Sequence, residues 1–74
     1  MTDREIIQLI GHLNPCTFAE LYDYYAEYPQ AAIKKRVKRL ESKRYITFTA
    51  YEKTGWYLAP EGMKAYQYEK NLQA

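Results

Sequence analysis

The chain has one cysteine, Cys16, and one histidine, His12. A lone cysteine cannot form an internal disulfide, which removes the staple that small secreted domains rely on. One cysteine and one histidine do not make a zinc site. No segment reaches the roughly 20 apolar residues of a membrane span. The opening MTDREIIQLI lacks the basic start and long apolar run of a signal peptide, and none is expected. A Gly-rich phosphate loop is missing, as are a nucleophile–base–orienter set and a carboxylate pair that can be placed in an apolar pocket. The chain is therefore not expected to be an enzyme. It implies no cofactor, no metal, no small-molecule ligand and no membrane partner. The expected compartment is the cytoplasm, or a host cytoplasm if the protein is viral.

What remains is a 74-residue chain rich in tyrosine, with nine Tyr, two Phe and one Trp. Such a length holds one domain with one small core, and the aromatic area argues for folding over disorder. The formal net charge of +2 hides a strong asymmetry. Residues 29–45, PQAAIKKRVKRLESKRY, hold seven basic residues against Glu41 alone, a net +6. The rest of the chain holds four basic residues against eight acids, a net −4. A block of one sign points to a polyanion more strongly than the total charge does.

The basic block also carries a helical period. At about 100° per residue, Val37 falls roughly 40° from Ile33 and Leu40 about 20° to its other side, a narrow apolar stripe. Ala31, Lys35, Lys38 and Ser42 lie opposite, flanked by Lys34 and Arg39. Pro29 suits the first helical turn. The predicted helix covers residues 30–43 and is roughly 21 Å long, on the scale of a B-DNA major groove.

Before it, Thr2-Asp-Arg-Glu5 reads as a capping box that opens a helix over residues 3–13. Ile6, Leu9, Ile10 and Leu13 share a face, Ile7 stands at its edge, and Gly11 weakens the helix slightly. Asn14-Pro15 ends it. A second box, Thr17-Phe-Ala-Glu20, opens an acidic helix over residues 17–26 with Phe18, Leu21, Tyr22 and Tyr25 on one stripe. The short gap to the basic helix suits a helix-turn-helix. Ile46-Thr-Phe-Thr-Ala50 then alternates like a half-buried strand. Glu52-Lys-Thr-Gly55 reads as a turn with a glycine for positive φ, and Trp56-Tyr-Leu58 as the return strand, a hairpin over residues 45–59. Pairing Ala50 with Trp56 and Phe48 with Leu58 puts the apolar set on one side. Pro60 opens a last helix over residues 60–72, with Met63, Ala65, Tyr66 and Leu72 on a loose face.

This order resembles a winged helix-turn-helix domain. AAIKKRVKRLESKRYI resembles the recognition helix of winged-helix regulators. YLAPEGMKAY resembles the segment after the wing in repressors of the multiple-antibiotic-resistance type, with Leu58, Pro60, Glu61 and Gly62 matching and Ala59 in place of threonine. The resemblance covers residues 3–68. The implied fold class is α+β: a three-helix core with a helix-turn-helix, a two- to three-stranded antiparallel wing and a short C-terminal helix. Three departures stand out. Arg44 occupies the place of the usual left-handed glycine, so either the cap differs or a cost of roughly 1 kcal/mol is borne. The long dimerisation helices of those repressors are replaced by one short helix. Winged helices that read left-handed DNA carry Asn and Tyr where Lys34 and Lys38 stand here.

The resemblance implies a sequence-specific double-stranded DNA-binding protein, a small transcriptional regulator of viral or prokaryotic type, with the third helix in the major groove and the wing on the flanking backbone. Carried over by position, Gln30, Ala31, Lys34, Lys35 and Lys38 face bases or nearby phosphates. Arg39, Lys43 and Arg44 lie along the strand edges, and Lys53 sits on the wing. Gln30 and Lys35 suit base reading, and the others suit phosphate contacts. Tyr51 and Tyr57 either hydrogen-bond phosphate or cover the sheet, and Trp56 is either core or a stacking platform. Cys16, at the start of the second helix, is either structural or a thiol of lowered pKa. Binding as a homodimer through the C-terminal helix, or as a member of an array, is the expected route to specificity. Two rival readings are a protein-interaction module with weak or no DNA binding, and a binder of RNA or single strands through exposed tyrosines.

Overall fold

The computed structural model describes residues 1–50 and 52–73. The chain is α+β, with four helices and one two-stranded antiparallel sheet among the described residues. Helix α1 spans Asp3–Leu13, α2 Phe18–Tyr24, α3 Gln30–Ser42 and α4 Pro60–Gln73; strands β1 Ile46–Ala50 and β2 Thr54–Leu58 lie between α3 and α4.

Both capping boxes form. Thr2 Oγ1 accepts from the Glu5 amide at 3.2 Å and Glu5 Oε1 accepts from the Thr2 amide at 3.0 Å. The Thr17–Glu20 pair repeats the arrangement at 3.1 and 2.9 Å. Each box satisfies two of the amides that a helix start leaves unpaired. The buried face of α1 is rotated from the expected one: Ile6, Ile7 and Ile10 are buried, while Leu13 is exposed. Ile7 moves inward because α1 packs on three sides, against α3, β2 and α4.

Helix α2 is shorter than its sequence pattern. It stops at Tyr24 because Tyr25 leaves helical geometry (φ −107°, ψ 47°) while its ring stays in the core. Pro29 lies one position before the expected place, as the N-cap of α3 with extended ψ of 140°. Its carbonyl accepts the Ala32 and Ile33 amides, and its fixed φ suits either position. The stripe Ile33, Val37 and Leu40 is fully buried, as the period requires.

At its far end α3 closes with a Schellman arrangement, in which the Tyr45 amide donates to the Leu40 carbonyl at 3.0 Å and the Arg44 amide to that of Glu41 at 2.9 Å. Arg44 sits at φ 66°, so the left-handed cap is kept without glycine.

The hairpin register differs from the expected one by two residues. Phe48 pairs with Trp56, Ile46 with Leu58, and Ala50 with Thr54. The facing parity is preserved because side chains alternate with a period of two. Gly55 is therefore a strand residue and no turn glycine; none of the glycines has positive φ. It is needed for space, since a Cβ there would lie 2.8 Å from Pro15 Cβ. On its other edge β2 is met by Cys16, whose amide donates to the Trp56 carbonyl at 3.0 Å and whose carbonyl accepts the Trp56 amide at 2.8 Å. The segment between α1 and α2 is thus stitched to the sheet by one residue.

Helix α4 turns Gly62, Ala65, Tyr66 and Glu69 inward and leaves Met63 and Leu72 exposed. The inward set follows the spacing i, i+3, i+4, i+7, and the expected face of Met63, Ala65, Tyr66 and Leu72 is not a single surface. Two glycines decide the packing. Gly62 abuts the Tyr45 carbonyl so closely that a Cβ would lie 1.9 Å from its oxygen. Gly11 lets the Tyr66 ring lie on α1, where a Cβ would come within 2.7 Å of that ring. Arg4 on α1 and Glu69 on α4 form an ion pair of 2.9 Å across the same contact.

Candidate nucleic-acid interface

All nine residues singled out from the sequence are exposed: Gln30, Ala31, Lys34, Lys35, Lys38, Arg39, Lys43, Arg44 and Lys53. They do not form one patch. Ala31, Lys35 and Lys38 occupy the side of α3 opposite the buried Ile33–Val37–Leu40 stripe, Lys34 stands on its flank, and Gln30 is exposed in the first turn on the stripe's own side. Lys43 instead borders a cleft lined by Asp3, Leu40, Tyr45, Glu61 and Tyr68, between α1, α3 and α4. Arg44 borders another depression with Glu41, Thr47 and Pro60. Lys53 lies next to the start of β2, where its carbonyl accepts the Tyr57 hydroxyl at 2.8 Å. Tyr57 is half-buried with its hydroxyl engaged there, which favours its role as sheet cover. The corresponding reading of Tyr51 lies outside the described residues.

The charge on α3 is partly spoken for. Asp3, in the first turn of α1, accepts from Arg36 Nη1 at 3.0 Å and from Arg39 Nη2 at 3.0 and 3.2 Å. Partial burial works against ionisation of Asp3. The hydrogen bonds from Arg36 and then Arg39, with their positive charges, outweigh it and hold the carboxyl below the usual carboxylate range. Lys38 stands 3.8 Å from Glu41, both well exposed, a contact of little energetic weight. Among the described residues, Lys34, Lys35, Lys43, Arg44 and Lys53 make no ion pair. The N-terminus of α3 has no acid in its first turn and no side-chain cap, unlike α1 and α2.

Arg36 was not singled out from the sequence. At one helical step from Ile33 it reads as a flank of the apolar stripe, and its partner Asp3 is 33 residues away. No local pattern announces that pairing.

No protein-family model, curated protein or solved structure matches this chain.

Other candidate groups resolve into the core. Trp56 is buried and meets Phe48 and Phe18 edge-on at ring distances of 5.2 and 5.6 Å, so it is no open stacking platform. Cys16 is buried too. Burial first, and the nearby Glu20 carboxylate second, push its thiol up to about 12. That corrects the alternative of an activated thiol at the start of α2: the helix end cannot offset the loss of water around the sulfur. His12 is exposed in the last turn of α1. Among the described residues no three His, Cys, Asp or Glu side chains gather as a metal site, and no helix is long and apolar enough to cross a membrane.

Proposed function

We propose that this chain is a winged-helix domain that binds double-stranded DNA through α3 in the major groove and serves as a small cytoplasmic transcriptional regulator of viral or prokaryotic type. The observation that carries the reading is the division of α3 itself. One side is sealed into the core by Ile33, Val37 and Leu40; the other presents Ala31, Lys35 and Lys38 to solvent, with Lys34 on its flank and Gln30 exposed in the first turn. Thirteen residues make a rod of about 20 Å, which a major groove admits. The small Ala31 lets a backbone approach closely near the helix start, where unpaired amides favour phosphate. The element order and the Cys16 bridge to β2 also suit a wing with a minimal third strand.

The distribution of tyrosines speaks against single-strand stacking. Among the described residues Tyr24 and Tyr68 are the most exposed rings, each at 64%, and they stand on α2 and α4. Helix α3 carries no aromatic residue. The protein-interaction reading draws support from those same rings together with the exposed acids Glu20, Asp23 and Glu27. A homodimer through α4 would use Met63, Tyr68 and Leu72, because Ala65 and Tyr66 pack against the core.

The test is fluorescence anisotropy of a labelled mixed-sequence duplex at several salt concentrations. With about five phosphate contacts, log K against log [salt] should slope at about −4.5. The Lys34→Ala/Lys35→Ala/Lys38→Ala variant should keep its fold by circular dichroism and lose about three units of slope. Absence of binding at low salt, or equal binding by the folded variant, refutes the groove reading and favours a protein partner.

A further inference from the structure

We propose that Lys35, Arg36 and Arg39, with Asp3 as positioning residue, form a seat for a single phosphate group on the α1-facing flank of α3. The inference rests on the DNA-binding reading for its natural ligand, a backbone phosphodiester, and adds a defined place and two residues, Arg36 and Asp3, to it.

Ala32, Lys35, Arg36 and Arg39 line a shallow depression of about 340 Å³. Their spacing, i, i+3, i+4 and i+7, puts them on one side of a helix. Ala32 leaves the floor open, and three cations form the walls. Two guanidinium groups this close would repel each other and splay apart. Asp3 prevents that by accepting from both, at 3.0 Å each. One carboxylate against three cations leaves the cluster at a net +2.

Asp3 consumes few of the available donors. Each guanidinium carries five N–H groups in a rigid fork, and Arg36 commits one terminal nitrogen and Arg39 another. The remaining donors are held by a partner that belongs to α1, so their freedom is restricted before any ligand arrives. Forked donors fixed in this way match the oxygens of a phosphate better than a point charge does. Arg36 is one-third exposed and Arg39 about half, so both remain reachable. The depression is open at its sides, so a phosphate that is part of a chain can enter as readily as a free one.

The test uses the whole protein labelled with nitrogen-15. The arginine Nε–Hε signals are followed during titration with a mixed-sequence duplex and, separately, with inorganic phosphate replacing chloride at constant ionic strength. Arg4, paired with Glu69, serves as the reference. The Arg36 and Arg39 signals should move together, with one dissociation constant, more than that of Arg4. Movement in both titrations assigns the seat to phosphate in general; movement with duplex alone restricts it to the DNA backbone. If phosphate moves them and the duplex does not bind, the seat stands and the DNA reading falls. If the duplex binds while they move no more than Arg4, the seat is overturned and the DNA reading stands. If neither ligand moves them and the duplex does not bind, both fall. A second measurement is independent of the first. Arg36→Gln, Arg39→Gln and their double variant should each lose about one unit of salt slope, because they vacate the same phosphate. A loss of about two units in the double variant overturns the single seat.

Discussion

Replacing Gly62 by alanine separates two lines of reasoning that predict opposite signs. Gly62 lies in the first turn of α4, and helix propensity alone predicts a gain of up to about 1 kcal/mol for Gly→Ala. The tertiary structure predicts a loss. A Cβ at this position would stand 1.9 Å from the Tyr45 carbonyl oxygen and 2.9 Å from its carbon. Ordinary C···O approach is about 3.3 Å, so α4 and the α3–β1 junction must separate by more than about 1 Å. Neither partner is a side chain that can rotate away. The separation stretches the bond from the Ala59 amide to the same Tyr45 oxygen, now 3.0 Å, which is worth about 1 kcal/mol. Overpacking adds roughly 1–3 kcal/mol. After subtracting the propensity gain, the net loss is about 2 kcal/mol, a large share of the roughly 4–11 kcal/mol that a chain of this size holds. With a urea m-value of about 1 kcal/mol/M, the midpoint should fall by about 2 M in far-ultraviolet circular dichroism. A midpoint equal to or above that of the unaltered protein would refute the close approach.

Gly11→Ala should also destabilise, by roughly 1 kcal/mol or less, because the atoms it meets belong to the Tyr66 ring and Leu58 and can yield; a urea midpoint lower than that of Gly62→Ala would contradict this ranking. Arg44→Gly should raise stability by up to about 1 kcal/mol in the same assay, since Arg44 holds φ 66° in the cap, and a lower midpoint would contradict the cost of that cap. Asp3 is held below its ordinary value of 3.8, so its contribution to stability is complete above that pH and is lost as pH falls through the lower folded value. Asp3→Asn should therefore flatten the decline of the urea midpoint as the pH falls below about 4, and an unchanged decline would show that the pairing is inconsequential. Cys16, buried with its thiol pushed up to about 12, should resist maleimide at pH 8 in the native protein and react at once in urea; rapid native labelling would refute its burial.

The sequence by itself determined everything that depends on neighbours along the chain. The Thr2–Glu5 and Thr17–Glu20 boxes, the Ile33–Val37–Leu40 stripe and the facing parity of the hairpin all follow from spacings of two to seven residues, which local geometry fixes. The exposure of the basic side of α3 followed as well, since burying one side of a helix against the core commits the other to solvent. What the tertiary structure decided are contacts between distant segments. The hairpin register moved by two residues because alternation preserves parity and leaves the pairing to the packing of Trp56 against Cys16 and Phe48. The inward side of α4 was set by backbone approach at Gly62 and Gly11, where an absent side chain leaves no hydrophobic period to read. Asp3 and Arg36 met across 33 residues: a charge on a helix flank looks the same in sequence whether it faces water or a partner, and only the fold brings the two together.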